Sequence, residues 1–288
     1  MDLSIYGATG IIGSYYQSLF PGTVIPREQL DPETKEVLYL ISTTDNSSYK
    51  ENPLLDIDTN LVVLMRRLNA CKEAGIDTFN FISSWYVYGP HNENPSEQDD
   101  CKPNGFYSIT KYTAERLIQE YCKEYKINYR ILRLGNVYGG PDSGNKKRNA
   151  LHYLVNQLKE GKKICVHKEI TRDFIHIFDV CIAIKLICET GDINKIYNVG
   201  NGIEVPLLDA LFYCKHILSS RGEIVQKSVD SNYDQAIRCS LNCTELQSLG
   251  FSPTINIYEG LADLCLHQKF CTPDPTLMDK KLKLRLLA

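Results

Sequence analysis

Apolar positions along the chain fall into short runs that end at glycines, separated by stretches with helical spacing. Leu3-Ser4-Ile5-Tyr6 is such a run, ending at Gly7, and predicts a buried strand. After Gly7-Ala8-Thr9-Gly10-Ile11-Ile12-Gly13 the pattern becomes helical to about Phe20, where Pro21-Gly22 stops it. Thr23-Val24-Ile25, halted by Pro26, predicts a second strand, and Val37 to Ser42 a third. Leu54 to Ala74 predicts one long helix, closed by Gly75 in the usual C-terminal position. A strand over Thr78 to Ser83 follows. Lys111 to Lys126 then predicts a helix, with Leu117, Tyr121 and Tyr125 four apart, and Asn128 to Leu134 another strand. Strands that alternate with helices and end at glycines define an α/β chain with a Rossmann-like, doubly wound parallel sheet.

The rhythm changes after about residue 140. Asn149 to Glu160, Val180 to Glu189 and Pro206 to Ser219 predict helices, with short strand-like pieces at Lys163 to Val166 and Ile196 to Val199. This half carries no second glycine fingerprint. The expected division is a dinucleotide-binding part over 1–140 and a smaller α/β substrate region over 141–288, some of whose segments return to the first sheet. The basic tail, Asp279 to Ala288, reads as a docked or frayed terminus.

Charge and composition narrow the function. The net charge is −3 with both signs interspersed, which gives no basic footprint for nucleic acid. No apolar run reaches the roughly 18 residues that span a bilayer. Met1-Asp2-Leu3-Ser4 lacks the basic start of a signal peptide, so the expected location is cytoplasmic. The 11 cysteines are an odd number, and the expectation is free thiols. Cys239 and Cys243 are spaced C-x3-C but find no two further ligands at zinc spacing. Cys122, Cys181 and Cys188 fall in helical apolar patterns and read as small core residues.

Candidate chemistry sits at two places. A strand, G-x-x-G-x-x-G and a helix together present backbone N–H groups to a pyrophosphate. Gly7 permits the turn, Gly10 the approach of the phosphates, and Gly13 close helix packing. The end of the second strand reads the adenosine ribose, and there Arg27 suits the 2′-phosphate of NADP whereas Glu28 would suit the hydroxyl of NAD. The second place is Tyr107-Ser108-Ile109-Thr110-Lys111, which puts a phenol and an ammonium four apart on one helix face. A neighbouring ammonium favours the phenolate, so the pair can exchange a proton with a sugar oxygen. Ser84, closing a buried strand at the edge where open α/β sheets bind ligands, could hydrogen-bond that oxygen.

These motifs, together with Ser83-Ser84-Trp85-Tyr86-Val87-Tyr88-Gly89, Arg133-Leu134-Gly135-Asn136-Val137-Tyr138-Gly139, Thr171-Arg172-Asp173-Phe174-Ile175-His176, Tyr197-Asn198-Val199-Gly200 and Leu249-Gly250-Phe251-Ser252-Pro253, resemble the extended short-chain dehydrogenase/reductases nearly end to end. The resemblance implies a catalytic triad of Ser84, Tyr107 and Lys111. It implies NAD or NADP held by Gly7, Thr9, Gly10, Ile11, Ile12, Gly13, Arg27, Ser42, Asn60, Ser83, Tyr107 and Lys111. It implies a nucleotide-diphosphate sugar held by Ser84, Trp85, Tyr86, Asn136, Asn149 and Arg172, the arginine on the diphosphate. It also implies a homodimer through the helices over Leu54 to Ala74 and Lys111 to Lys126.

The family's 4,6-dehydratases carry Asp-Glu after the catalytic hydroxyl, for the extra acid and base of elimination. Here Trp85 and Tyr86 stand in those positions, which speaks against a dehydratase. Tyr86 and Asn149 stand where the fucose synthases use a cysteine and a histidine. A nucleotide-sugar 4-epimerase and an NADPH-dependent 4-ketoreductase remain. Ile41-Ser42-Thr43-Thr44, Asn52-Pro53 and Asn60 resemble the epimerases and tip the balance to them. Arg27-Glu28-Gln29-Leu30-Asp31 and the short chain resemble the reductases. That segment runs almost directly into the Val37 strand, so the strand–helix element usual there is mostly missing. Lys168-Glu169 stands where Gly-Asp-Gly is common, which marks an unusual base pocket. A non-catalytic dinucleotide-binding protein on the same fold is the third reading; it would be expected to have lost Ser84, Tyr107 or Lys111, and all three are present.

Overall fold

The computed structural model describes residues 2–43, 52, 54–90, 92–140, 150–230 and 237–266. Strand β1 (Leu3–Tyr6) leads through the glycine loop into α1 (Ile11–Leu19), then β2 (Thr23–Ile25) and β3 (Glu36–Tyr39). These pair, with β4 (Thr78–Ser84), β5 (Asn128–Leu134) and β9 (Lys195–Val199), into one six-stranded sheet of order β2-β1-β3-β4-β5-β9. Every pairing in it is parallel. All four residues of β1 and all seven of β4 are buried, as expected for strands covered on both faces.

Because side chains alternate across a strand, Leu3 and Ile5 face one layer and Tyr6 the other. The first layer packs α1 and α6 (Ile177–Thr190) against the sheet, with Cys181 and Cys188 in its core. The second packs α3 (Val63–Glu73) and α4 (Phe106–Tyr125), with Leu64, Leu68, Ile118 and Cys122 buried.

The expected long helix over 54–74 forms, but not uniformly. It runs as α2 (Leu55–Ile57), a π-helical turn (Asp58–Val62) and α3. Gly75, at φ +64°, ends it as predicted. α4 begins five residues before the predicted start, which brings Tyr107 inside the helix. Between β2 and β3 there is only a connection of residues 26–35, so β2 is an edge strand beside β1. Ser4 Oγ accepts from the backbone of Glu33 and Thr34 at 2.9 Å each, and Tyr6 Oη donates to the Leu30 carbonyl at 2.5 Å. No strand or helix forms within this connection.

The later chain builds a second core from α5 (Ala150–Lys159), α7 (Leu207–Ile217) and α9 (Ile257–Leu266). It carries a three-stranded sheet of β10 (Glu204–Pro206), β8 (Thr171–His176) and β6 (Asn136–Tyr138), and a two-stranded one of β11 (Ile224–Lys227) and β7 (Ile164–His167). The sequence pattern does not reveal β6 or β10, since three-residue strands carry almost no periodicity, nor the six-residue β8. Among the described residues no helix is long and apolar enough to cross a membrane, and no cluster of metal-ligating side chains forms. Cys239 and Cys243 are buried free thiols. The basic tail lies outside the described residues.

Candidate active site

The glycine loop is a tight turn that opens onto an uncapped helix start. Gly7 takes φ +83°, a backbone conformation open to glycine, and a side chain there would meet the backbone of Leu40 and Ile41 at 3.0 Å. The Gly10 amide donates to the Gly7 carbonyl at 3.0 Å, closing the turn. A Cβ on Gly13 would lie 2.4 Å from the Gly7 oxygen and 2.7 Å from Ala8 Cα, so helix and loop touch. Thr9, Gly10 and Ile11 are exposed, and no side chain caps the start of α1. Open amides at a helix start, approached by backbone alone, fit a pyrophosphate. Ile12 packs back onto the α1/α6 layer, which leaves its backbone for the ligand. Arg27 and Glu28 are exposed directly after β2.

At the C-terminal edge of β3 and β4 the predicted catalytic side chains converge. Tyr107 is half-buried in the first turn of α4, with the Ser84 and Ser42 hydroxyls near its phenol. Burial pushes its phenol up to about 12; those two hydroxyls pull it down, while Tyr86 and Asp56 push it further up. Asn60, on the π-helical turn, ties the neighbourhood together. Its Oδ1 accepts from the Thr43 amide at 2.9 Å and from Ser42 Oγ at 3.1 Å, and its Nδ2 donates to Thr43 at 2.8 Å and Thr110 at 2.9 Å. A π turn re-aims one helical residue, and here it aims Asn60 at the mouth of the site. Thr43 also donates its hydroxyl to Asp56, a fully buried carboxylate that sequence patterning does not single out.

Lys111 shares the helix with Tyr107 as the spacing requires, and its ammonium donates to the Ile82 carbonyl and lies 4.1 Å over the Phe81 ring. Burial pushes it down to about 7, opposed by the Glu115 carboxylate one turn on. In this arrangement the ammonium satisfies a strand-end carbonyl.

Ser83 is buried and donates its hydroxyl to Glu115, so it can meet a cofactor only through its backbone. Glu115 is paired with Arg133 of β5, Nη2 to Oε2 at 2.7 Å and Nε to both oxygens at 3.1 and 3.2 Å. Both are almost wholly buried. Arg133 lies 4.7 Å from the Tyr88 ring centre, and Tyr88 donates to Asn198 at 2.7 Å. Single charged residues inside apolar strands carried no sign of this network, because a buried charge is recognised only once its partner is known.

Trp85 is buried rather than lining a pocket. It stacks on Tyr86 with ring centres 4.3 Å apart, and Tyr86 meets Tyr107 edge-on at 6.3 Å. Arg172 lies 5.5 Å over Trp85, with Nη1 on the carbonyls of Thr171 at 2.7 Å and Ile237 at 3.1 Å. An aromatic ladder thus joins the phenol to the arginine expected on a diphosphate. Asn136 heads β6, and its buried Nδ2 has no hydrogen-bond partner among the described residues. Asn149 lies outside the described residues.

A doubly wound sheet with a glycine loop and a Ser–Tyr–Lys set at its carboxyl edge defines a nicotinamide-dinucleotide enzyme of the extended short-chain dehydrogenase type. The chain belongs to the NAD dependent epimerase/dehydratase family, whose model matches residues 28–200. It is 29% identical over 215 residues to a Methanocaldococcus jannaschii protein provisionally named a UDP-glucose 4-epimerase, covering 73% of this chain and 69% of that one. It is 26% identical over 212 residues to the dTDP-D-glucose 4,6-dehydratase of Dictyostelium discoideum, covering 68% of this chain and about half, 47%, of the dehydratase. The fold matches RMD of Pseudomonas aeruginosa complexed with NADPH at a TM-score of 0.79 and 22% identity, covering 92% of this chain and 97% of that one. The chain is an enzyme of the NAD-dependent epimerase/dehydratase type, and its relatives are named for reactions of nucleotide sugars.

Proposed function

We propose that the protein is a nucleotide-4-ketosugar reductase that uses NADPH. The observation that carries this reading is the truncated adenosine side of the sheet. With β2 at the edge and only residues 26–35 after it, nothing of a further strand–helix unit covers the adenosine end. A reductase consumes its cofactor and must exchange it each turnover, which an open end favours. An epimerase regenerates its cofactor in place and gains from enclosing it. Arg27, exposed just past the end of β2, adds a donor suited to a 2′-phosphate.

The residues divide the work as follows. The amides of the glycine loop and of the first turn of α1 bind the pyrophosphate. Arg172 and Asn136 hold the sugar nucleotide, with the arginine kept in place by Trp85. A nicotinamide held there would supply hydride for the C4 carbonyl carbon. Tyr107, which burial keeps protonated, gives its proton to the carbonyl oxygen, and Ser84 hydrogen-bonds that oxygen. The phenol then regains a proton from solvent. Trp85 and Tyr86, where an elimination would need an acid and a base, present aromatic rings instead.

The 4-epimerase is the second reading, favoured by the Methanocaldococcus relative. One experiment separates the two. Purified protein is given nucleotide 4-keto-6-deoxyhexoses with NADPH, or UDP-glucose with NAD. Loss of NADPH absorbance with the ketosugars supports the reductase. Formation of UDP-galactose with tightly retained NAD overturns it in favour of the epimerase.

A homodimer through α2–α3 and α4 is part of the proposal. Leu55, Ile57, Val62, Phe106, Ile109 and Leu117 are exposed on these helices, Ile109 to 48%, which is apolar area that a partner would cover. Light scattering after size exclusion tests it, a monomer at micromolar concentration being the contrary result.

A further inference from the structure

Arg67 of α3 is an unusual resident of the tyrosine-rich layer beneath β1. Its residue is 3% exposed, and its guanidinium lies 4.9 Å from the centre of the Tyr6 ring. One nitrogen, Nη2, donates to the carbonyl of Arg27 at 2.5 Å; Nε and Nη1 reach no acceptor at hydrogen-bond distance among the described residues, although the charge acts on the Tyr6 phenol. Among the described residues no carboxylate forms an ion pair with it, although Glu28, Asp31 and Glu33 all lie on the 26–35 connection it touches. The hydroxyl of Tyr39, on the neighbouring strand and electrostatically coupled to Arg67, is likewise buried without a partner. A buried cation with unmet donors is costly, and an apolar side chain of the same length would fill the space without that cost. Charges kept at such a cost point to use.

The place of Arg67 says which use. Its one strong contact is the backbone of Arg27, two residues past the end of β2, where this fold reads the adenosine ribose. The connection after Arg27 is short and exposed, and Arg67 is the rigid element beneath it. We propose that Arg67 is a positioning residue which fixes the end of β2 from below and, with Arg27 above, forms an arginine pair that accepts the 2′-phosphate of NADP(H). The inference rests on the dinucleotide reading of the glycine loop and deepens it at the adenosine end. The phosphate brings the negative charge that this corner lacks: Arg27 meets it directly with its fork of donors, and Arg67 sets the geometry of Arg27 while its positive field crosses a medium of low dielectric.

Binding of adenosine 2′,5′-bisphosphate and of 5′-AMP to nucleotide-free full-length protein tests this without any sugar substrate. The wild-type protein is expected to prefer the bisphosphate by about tenfold or more. Arg67→Met is expected to lose most of that preference, to bind 5′-AMP within about twofold of wild type, and to melt no lower than wild type. A merely structural arginine gives another outcome, equal losses for both nucleotides with a lower melting temperature, and that result overturns the proposal. So does a wild-type protein with no preference. If Arg67→Met does not fold, Arg27→Ala, at an exposed position, carries the same test of the pair, and Arg67→Lys tests the buried half. Lysine keeps a charge but not the fork, and is expected to retain only part of the preference; full retention in both variants refutes the pair. Failure to bind either nucleotide rejects the cofactor site itself, which is a different result from binding both equally.

Discussion

Glu115→Gln is the most informative single change away from the reacting atoms. In the native protein the Glu115 carboxylate accepts from Ser83, takes a forked pair from Arg133 and faces Lys111. Glutamine has nearly the same shape and keeps one carbonyl, which can still accept from Ser83. Its amide group, however, sets N–H donors against the Arg133 Nη2 that now donates at 2.7 Å. Arg133 would then be a buried charge with no counter-charge, and its Nη1 already has no partner. Removing one member of a buried pair costs about 3–5 kcal/mol. For a chain of this size that corresponds to a fall in melting temperature of roughly 10 °C. Denaturant unfolding at neutral pH, followed by circular dichroism, measures it. The double variant Glu115→Leu/Arg133→Met supplies the control, since replacing both charges with apolar groups is expected to recover most of the loss. A cost below about 1 kcal/mol for Glu115→Gln, or a double variant as unstable as the single, would refute the view that this pair is a closed electrostatic unit.

Other outcomes follow from the site. Tyr107→Phe is expected to abolish turnover and leave cofactor binding intact; full activity with the true substrate rejects the proton-donor role. Gly13→Ala places a methyl 2.4 Å from the Gly7 oxygen, where only backbone can give way, so it should abolish cofactor binding and lower stability by more than about 1 kcal/mol. Nucleotide titration and thermal unfolding check it. Lys111 is lowered from 10.5 to about 7 in the folded protein, so the unfolded chain holds more protons between those values. Its contribution therefore rises as pH goes from about 7 to 10.5 and is lost as pH falls toward 7; Lys111→Met should flatten that limb of the stability curve. Ile109→Glu should shift a dimer to monomer in light scattering.

Much of the cofactor half was legible because its chemistry is local. Gly7, Gly10 and Gly13 act within one turn, and the apolar runs at Leu3–Tyr6 and Thr78–Ser84 are buried on both faces, so pattern and burial agree. The shortened segment after Arg27 was visible as missing length. What stayed hidden depends on partners distant in sequence. Lys111 was placed on the right helix, but which way its ammonium turns is decided by the Ile82 carbonyl 29 residues earlier. The π turn that aims Asn60 has no sequence marker. Trp85 was expected to touch substrate, yet its neighbours Tyr86 and Arg172 enclose it. Arg67 reads as one of two adjacent arginines on a helix, and only packing shows that one of them is inside.

Asp173 accepts the backbone amides of Asn201 at 2.7 Å, Gly202 at 2.9 Å and Leu241 at 3.0 Å. Asn198, at the end of β9, holds the carbonyls of Pro95 and Asn242 at 2.9 Å each. Three segments remote in sequence, around residues 95, 200 and 241, are thereby knotted at two buried polar side chains. This knot lies where the cofactor sheet meets the later chain, the seam at which a two-part enzyme would ordinarily flex. Those three amides should exchange their hydrogens only when the whole protein opens. Grip on the substrate must then come from movement elsewhere, with this seam acting as the fixed jaw of the clamp.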